Sequence, residues 1–481
     1  MAGPRARRMN VPLRGVAAVS GVMLFALLGN VTWVQGFRYE ELMADPRNNR
    51  TMILRFDEPR GEVRLRDGTV VAASERVTDQ RFAYRRVYPQ GALYAPATGY
   101  ASLYRTTGIE GAEDGSLTGE DPRVRVRALL KDIDRGATVT LTLDSRAQKA
   151  AYDGLAATGK RGAVVALDPR TGAILAMVSL PSFDPNGFAT FDVDELTAYD
   201  RKLQRDPARP LLNRAIGENY PPGSTFKVIT AAAALASGDY DPETEVRAPA
   251  RMKLPGTQTW LRNSGGEACG DGTPALLDAF VLSCNTAFAD LGLELGEEKL
   301  SRWAGAFGFG DAALKVPLAV AESVYPSGLD RAQTAMSAIG QYDDRATPLS
   351  IAMISAAVAN GGSLMRPYLV DEVRLRDGTI VRSTDPDEYR DTMPMAVADR
   401  LTEMMVAVTG PGGTGTAAAI PGVKVAAKTG TAENEGSDHA IFTAFAPADD
   451  PVVAVGVLVE HGGFGGQVAA PIARAVMRAL L

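Results

Sequence analysis

The sequence predicts an α+β fold in which an antiparallel sheet is covered by helices, preceded by a strand-rich N-terminal segment and one transmembrane helix. Three observations carry this reading. A run without charged residues from Gly15 to Phe37 follows Arg5, Arg7, Arg8 and Arg14. Strand patterns gather at both ends of the stretch from Ala137 to Leu481, with helical patterns between them, so its sheet must be assembled from distant segments. Between these two parts the chain is charged and rich in turn signals.

The apolar run comes first. At ~1.5 Å rise per residue, about 20 helical residues cross a bilayer core, and Gly15–Phe37 is long enough. Its exit, Gly29-Asn-Val-Thr-Trp-Val-Gln-Gly-Phe37, lacks a small-x-small cleavage site, which predicts an uncleaved anchor. The arginines keep residues 1–14 in the cytoplasm and put Trp33 at the far interface, so residues 38–481 lie outside.

Within residues 38–138, Val63-Arg-Leu-Arg-Asp-Gly-Thr-Val-Val71 alternates apolar and polar positions around Asp67-Gly68, a short hairpin signature. Nearly the same string returns as Val373-Arg-Leu-Arg-Asp-Gly-Thr-Ile-Val381. No similarity extends beyond it, so two independent hairpins are expected rather than a repeat. Ala137–Asp144 reads as a strand and Ser145–Leu155 as a helix. Gly162–Asp168 and Gly172–Ser179 read as a strand pair turning at Asp168-Pro-Arg-Thr-Gly172. Helices are expected at Ala231–Leu235, Leu276–Leu293 and Pro348–Ala359. Strands return at Val423–Thr431, Ile441–Phe445 and Val452–Val459, and Ala469–Leu481 closes the chain as a helix.

Bulk composition narrows the function. With 481 residues the chain has room for two or three domains. The formal net charge is -6 and no basic block marks a nucleic-acid surface, so nucleic acid is excluded as the main partner. Two histidines and two cysteines are too few for a zinc site, and no carboxylate spacing suggests another metal. No cofactor is expected.

The chemistry resides in three short motifs. Ser224-Thr-Phe-Lys227, Ser283-Cys-Asn285 and Lys428-Thr-Gly430 follow one another with separations of 59 and 145 residues. Pro221-Pro-Gly223 stops helix upstream and the apolar run from Phe226 to Leu235 continues it downstream, which places Ser224 near a helix N-terminus. Unpaired N–H groups there stabilise an oxyanion. Lys227 lies three residues on, on the same helix face, where its amine reaches the Ser224 hydroxyl. Burial would lower its pKa from about 10.4 far enough for it to act as a base. Neither His439 nor His461 stands in a triad context, so a Ser-Lys mechanism fits better than Ser-His-Asp. Taken singly each motif has a bland reading, as a surface helix start, a helical turn or a strand end; the conjunction and its order point to acyl transfer.

These motifs resemble those of the class B penicillin-binding proteins, most closely an actinobacterial branch of that family. The similarity runs from about Val139 to the C-terminus. It rests on Gly162–Gly172, Pro181-Ser-Phe-Asp-Pro-Asn186, Asn213-Arg-Ala-Ile216, Tyr220-Pro-Pro-Gly-Ser-Thr-Phe-Lys227 and Ala427-Lys-Thr-Gly-Thr-Ala-Glu433. Arg60-Gly61, Arg66-Asp-Gly68 and Tyr88-Pro89 resemble the family's pedestal more loosely.

The resemblance implies a transpeptidase fold over residues 139–481 on a non-catalytic pedestal at 38–138. It makes Ser224 the nucleophile and Lys227 its base. Ser283 and Asn285 relay protons and hold the substrate amide, and Lys428 orients Ser283 and attracts the terminal carboxylate. The segment Thr429-Gly430-Thr431 binds that carboxylate, and the N–H groups of Ser224 and Thr431 form an oxyanion hole. The implied partners are stem peptides ending in D-Ala-D-Ala, β-lactams, the cytoplasmic membrane, a membrane glycan polymerase of the SEDS type and division proteins. Two departures stand out: Cys284 fills the middle of the second motif, and Tyr342 follows Gly340-Gln341 where the family often has Gly.

The same motifs leave rivals open. A D,D-carboxypeptidase differs only in using water as acceptor, a serine β-lactamase needs a second base, and a scaffold with vestigial catalysis keeps only the shape. A penicillin sensor would carry several spans, and a bifunctional enzyme would need a further helical domain before the transpeptidase. Cys269 and Cys284 lie outside the membrane on this topology, which permits a disulfide between them; two unpaired thiols remain the alternative.

Overall fold

The computed structural model describes residues 5–38, 56–78, 82–131, 136–433 and 436–481. The first four residues of the expected tail and residues 39–55 of the expected pedestal lie outside these. Two compact units emerge, residues 1–58 with 76–84 and residues 59–75 with 85–481. In the first, helix α1 (Arg5–Phe37) contains an apolar span of 25 residues, Leu13–Phe37, none of it buried against protein. Within it the Thr32 hydroxyl donates to Leu28 O at 2.9 Å, so this polar group is satisfied inside the helix.

The larger unit is organised by a five-stranded antiparallel sheet. Its strands are β1 (Gly162–Leu167), β2 (Ile174–Leu180), β3 (Ala426–Ala432), β4 (His439–Ala446) and β5 (Val453–Val459), in the spatial order β3-β4-β5-β1-β2. Strands β1 and β5 are buried at every position, which explains why they read as continuous apolar runs rather than alternating ones. Helices α2 (Ser145–Ala156) and α6 (Gly465–Leu480) pack together over the sheet. Helix α5 (Pro348–Ala359) packs against the sheet through its own buried surface. Its backbone lies so close to β5 that a Cβ at Gly456 would stand 2.6 Å from Ala352 N. Asp144 caps α2 and Thr347 caps α5, each side chain accepting from backbone N–H groups of the first turn.

A second, six-stranded sheet holds both hairpins. In spatial order its strands are Ile380–Ser383, Val370–Arg374, Thr138–Leu141, Val63–Leu65, Val70–Arg76 and Tyr84–Val87. The hairpins expected to be independent are therefore members of one sheet, flanking Thr138–Leu141. That strand pairs parallel with Val63–Leu65 and antiparallel with Val370–Arg374. The sheet draws strands from both sides of residue 138. Alternation could identify each hairpin but not what its open edge would meet. Residues 91–131, within the expected strand-rich segment, carry short helices instead, ending with Pro122–Lys131.

One helix expectation is corrected. Leu276–Leu293 is not continuous: one helix spans Leu276–Val281, and a new one, α4 (Asn285–Leu295), starts four residues later. Ser283 between them has φ +61°, a left-handed conformation that costs a non-glycine residue roughly 1–2 kcal/mol. Ser and Asn favour helix ends because their side chains compete for backbone hydrogen bonds, and Ser283-Cys284-Asn285 was the signal for the break.

Candidate active site

The Ser224 turn is built from small residues because three backbones meet there. Ser224 lies in a 3₁₀ turn, Gly223–Phe226, that leads into α3 (Lys227–Ser237). A Cβ at Gly223 would stand 2.7 Å from Thr431 O on β3, and one at Gly340 would stand 2.1 Å from Gly223 O. Gly223 N donates to Gly340 O at 2.9 Å, and Gln341 Nε2 reaches Thr431 O at 3.4 Å. Upstream, the Tyr220 hydroxyl donates to Glu460 Oε1 at 2.9 Å, and Glu460 also pairs with the buried Arg214 at 2.8 Å. The first turn, the edge strand β3 and the Gly340 loop thus hold one another.

Helix α3 is buried on all sides from Lys227 to Leu235, so the Lys227 ammonium is fully inside the protein. Its Nζ donates to Ser283 O at 2.7 Å and Asn285 Oδ1 at 2.8 Å, with Ser283 Oγ at 3.4 Å. The left-handed Ser283 is what makes that carbonyl available, since a continuous helix would have used it internally. Asn285 is itself oriented, its Nδ2 donating to Arg262 O at 3.1 Å. From the other side, Lys428 Nζ on β3 donates to Ser283 Oγ at 2.7 Å and Thr429 O at 3.1 Å. Rings lie under both cations, Phe288 at 5.6 Å from Lys227 Nζ and Phe280 at 5.4 Å from Lys428 Nζ.

Burial acts strongly on this pair. It holds Lys227 well below the ordinary lysine range, with the Lys428 charge adding to the effect, and it pushes Lys428 down to about 7. The lysines stand behind the surface, while Ser224, Ser283, Asn285 and Thr431 are partly exposed in front of them. Such a group can hold a hydroxyl, remove its proton and return a proton to a leaving group.

All three motifs therefore converge, and the 145 residues between Ser283 and Lys428 close to one hydrogen bond. Thr429 differs from Thr431: it is buried, and its hydroxyl shares a 2.9 Å hydrogen bond with Thr414, which also donates to Val281 O at 3.1 Å. Of the two threonines expected to take a carboxylate, Thr431 is the one that is partly exposed. Thr414 had no motif to mark it. Cys269 and Cys284 are joined as a disulfide with Cα atoms 6.2 Å apart, tying a glycine-rich loop to the residue after Ser283. Asn263 supports the same helix start, its Oδ1 accepting from Thr286 N at 3.0 Å.

The model of the penicillin binding protein transpeptidase domain matches residues 162–478. The chain belongs to the class B penicillin-binding proteins. A second family model, described as the penicillin binding protein A dimerisation domain, matches residues 60–139 of this penicillin-binding protein. The peptidoglycan D,D-transpeptidase PbpA of Mycolicibacterium smegmatis is 46% identical, the alignment covering 98% of this chain and 99% of that one. The protein of the same name from Mycobacterium tuberculosis is 44% identical with equal coverage. Among solved structures, penicillin-binding protein A from M. tuberculosis as a ceftriaxone acyl-enzyme matches with a TM-score of 0.85 and 43% identity. That match covers 89% of this chain and 99% of the other. The penicillin G acyl-enzyme of the same protein gives a TM-score of 0.84 and 44% identity over 88% and 99%.

Proposed function

We propose that this penicillin-binding protein is a peptidoglycan D,D-transpeptidase in which Ser224 is the acyl-forming nucleophile. The observation that carries this is the buried Lys227 amine one helical turn after Ser224, bound to the Ser283 carbonyl and Asn285, with Lys428 bound to the Ser283 hydroxyl. Neutral Lys227 takes the Ser224 proton as its oxygen attacks the carbonyl of the penultimate D-Ala. Ser283, hydrogen-bonded between both lysines, passes a proton to the departing amine, and the terminal D-Ala leaves. An amino group of a neighbouring stem then attacks the ester, returns the proton to Ser224 and completes the cross-link.

Substrate placement follows from the edge position of β3. Its outer backbone groups can add an extended stem peptide as a further strand, with Asn285 holding the amide. Thr431 and Lys428 take the terminal carboxylate, and Thr429 braces the strand through Thr414. The N–H groups of Ser224 and Thr431 stabilise the oxyanion. β-Lactams acylate the same serine.

Residues 1–14 lie inside the cell, 15–37 span the membrane, 38–138 form the pedestal and 139–481 the catalytic domain outside. A SEDS-type glycan polymerase and division proteins are its partners in the membrane. Intact mass after benzylpenicillin tests the chemistry. The wild type gains one drug mass, and both Ser224→Ala and Lys227→Arg lose that gain, the latter because a guanidinium stays protonated. An adduct persisting on Ser224→Ala would overturn the nucleophile. A reporter active only in cytoplasm, fused after Leu481, stays silent on this topology; a strong signal overturns the orientation.

A further inference from the structure

Behind the Ser224 turn lies a polar cluster that the proposed chemistry does not use. Asp344 is fully buried, and among the described residues neither of its carboxyl oxygens has a hydrogen-bond partner. The Ser337 hydroxyl, also fully buried, and the buried Tyr325 hydroxyl are likewise without partners. The backbone brings them together: Val324 and Arg345 exchange hydrogen bonds of 2.7 and 2.9 Å, which sets Tyr325 beside Asp344. Ser337 Oγ approaches Asp344 without reaching hydrogen-bond geometry. Four orphaned polar atoms in one place would be costly, and a buried water needs about 2–4 such partners.

The cluster is coupled to the nucleophile through short links. Tyr325 stacks on Phe226, which follows Ser224 by two residues, with ring centroids 5.7 Å apart. Ser337 O accepts from Gly340 N at 2.9 Å, and Gly340 O accepts from Gly223 N. Ala338 O accepts from Thr230 on α3 at 2.7 Å.

We propose that Asp344, Ser337 and Tyr325 together hold a buried water, and that Asp344 through this water is a positioning residue for the turn that carries Ser224. The proposal rests on the acylation centre described above. Burial supports it by keeping the Asp344 carboxyl well above the ordinary carboxylate range, so that it enters the network as a neutral acid. The charged groups around it are Arg345, which favours the anion, and Asp343, which opposes it; Tyr325 faces it across the Val324–Arg345 bridge, and Glu297 acts on Tyr325.

The test uses full-length protein and the rate of acylation by benzylpenicillin. Asp344→Asn keeps hydrogen-bonding capacity without charge and is expected within about threefold of wild type, whereas Asp344→Leu is expected at least about tenfold slower. Tyr325→Phe is also slower. Adding it to Asp344→Leu produces little further loss, because both changes remove the same water. A wild-type rate for Asp344→Leu, an equal loss in Asp344→Asn, or multiplied losses in the double variant would each refute the proposal. Should Asp344→Leu not fold, Ser337→Ala, Tyr325→Phe and their double variant are read the same way.

Melting temperature supplies an independent readout. The folded acid keeps its proton while the unfolded chain releases it near about pH 4, so wild-type stability falls relative to Asp344→Asn as pH rises above that value. A gap that does not widen refutes the neutral acid. Failure of the wild type itself to acylate at Ser224 would instead strike the proposed function.

Discussion

Replacing Gly340 by alanine tests whether three meeting backbones set the nucleophile. Gly340 has φ +73°, and a Cβ there would stand 2.1 Å from Gly223 O and 2.8 Å from Phe226 Cβ. Real Cβ contacts do not fall below 3.0 Å, so the Gly223 carbonyl must retreat by at least about 0.9 Å, and Ser224 follows directly in the chain. A misplacement of about 1 Å costs on the order of 100-fold in rate. The left-handed φ adds roughly 1–2 kcal/mol of instability and the overpacking roughly 1–3 kcal/mol. Gly378→Ala is the control: its φ is +87° but a Cβ there meets nothing within 4 Å, so only the conformational cost applies. Acylation followed by intact mass, with denaturant unfolding alongside, should show about 100-fold slower acylation in folded Gly340→Ala and an unchanged rate in Gly378→Ala. Gly340→Ala acylating within about threefold of wild type, or Gly378→Ala slowing equally, would refute the steric account.

Three further outcomes are expected. Reducing Cys269–Cys284, or replacing both by serine, should lower stability by about 3 kcal/mol for a loop of this length and slow acylation by loosening Ser283; unchanged acylation would show that α4 alone sets Ser283. Thr414→Val should cost about 1–3 kcal/mol by orphaning the Thr429 hydroxyl, read by denaturant unfolding, while an unchanged midpoint would mean that Thr429 finds another partner. With Lys428 pushed down to about 7 when folded against about 10.4 unfolded, the unfolded chain holds more protons between those values. Stability should therefore rise with pH across that window by up to about 1.4 kcal/mol per unit, a trend absent from Lys428→Met. Acylation should move the opposite way on the alkaline side as the carboxylate loses its cation, and to fall on the acid side as the lysine pair gains a proton, the two limbs belonging to the pair. Parallel pH trends in stability and acylation would contradict this assignment.

Much of the fold was legible because it is written locally. The hairpin at Asp168–Gly172 and the apolar β1 and β5 each announce themselves within ten residues or so. The break at Ser283 was legible only in part, since the flanking apolar residues favour helix and only Ser and Asn argue against it. The shared sheet of the two hairpins was not legible, because edge pairing between segments hundreds of residues apart leaves no periodicity in either. Thr414 and Asp344 were missed for the same reason: a lone threonine and one of two adjacent aspartates look ordinary until burial removes their water.

By itself the sequence determined which chemical groups the protein owns and in what order they stand. A hydroxyl three residues from an amine, an uncharged span behind arginines and two cysteines 15 positions apart are properties of covalent order. Tertiary structure alone decided that Lys227 and Lys428 meet at Ser283 and that Thr429 is buried against Thr414 while Thr431 stays partly exposed. It also decided that both ammoniums lie where water cannot hold their charge. Proton affinity depends on solvent and charge through space, which covalent order does not carry, and a lysine becomes a candidate base only once the fold has closed around it.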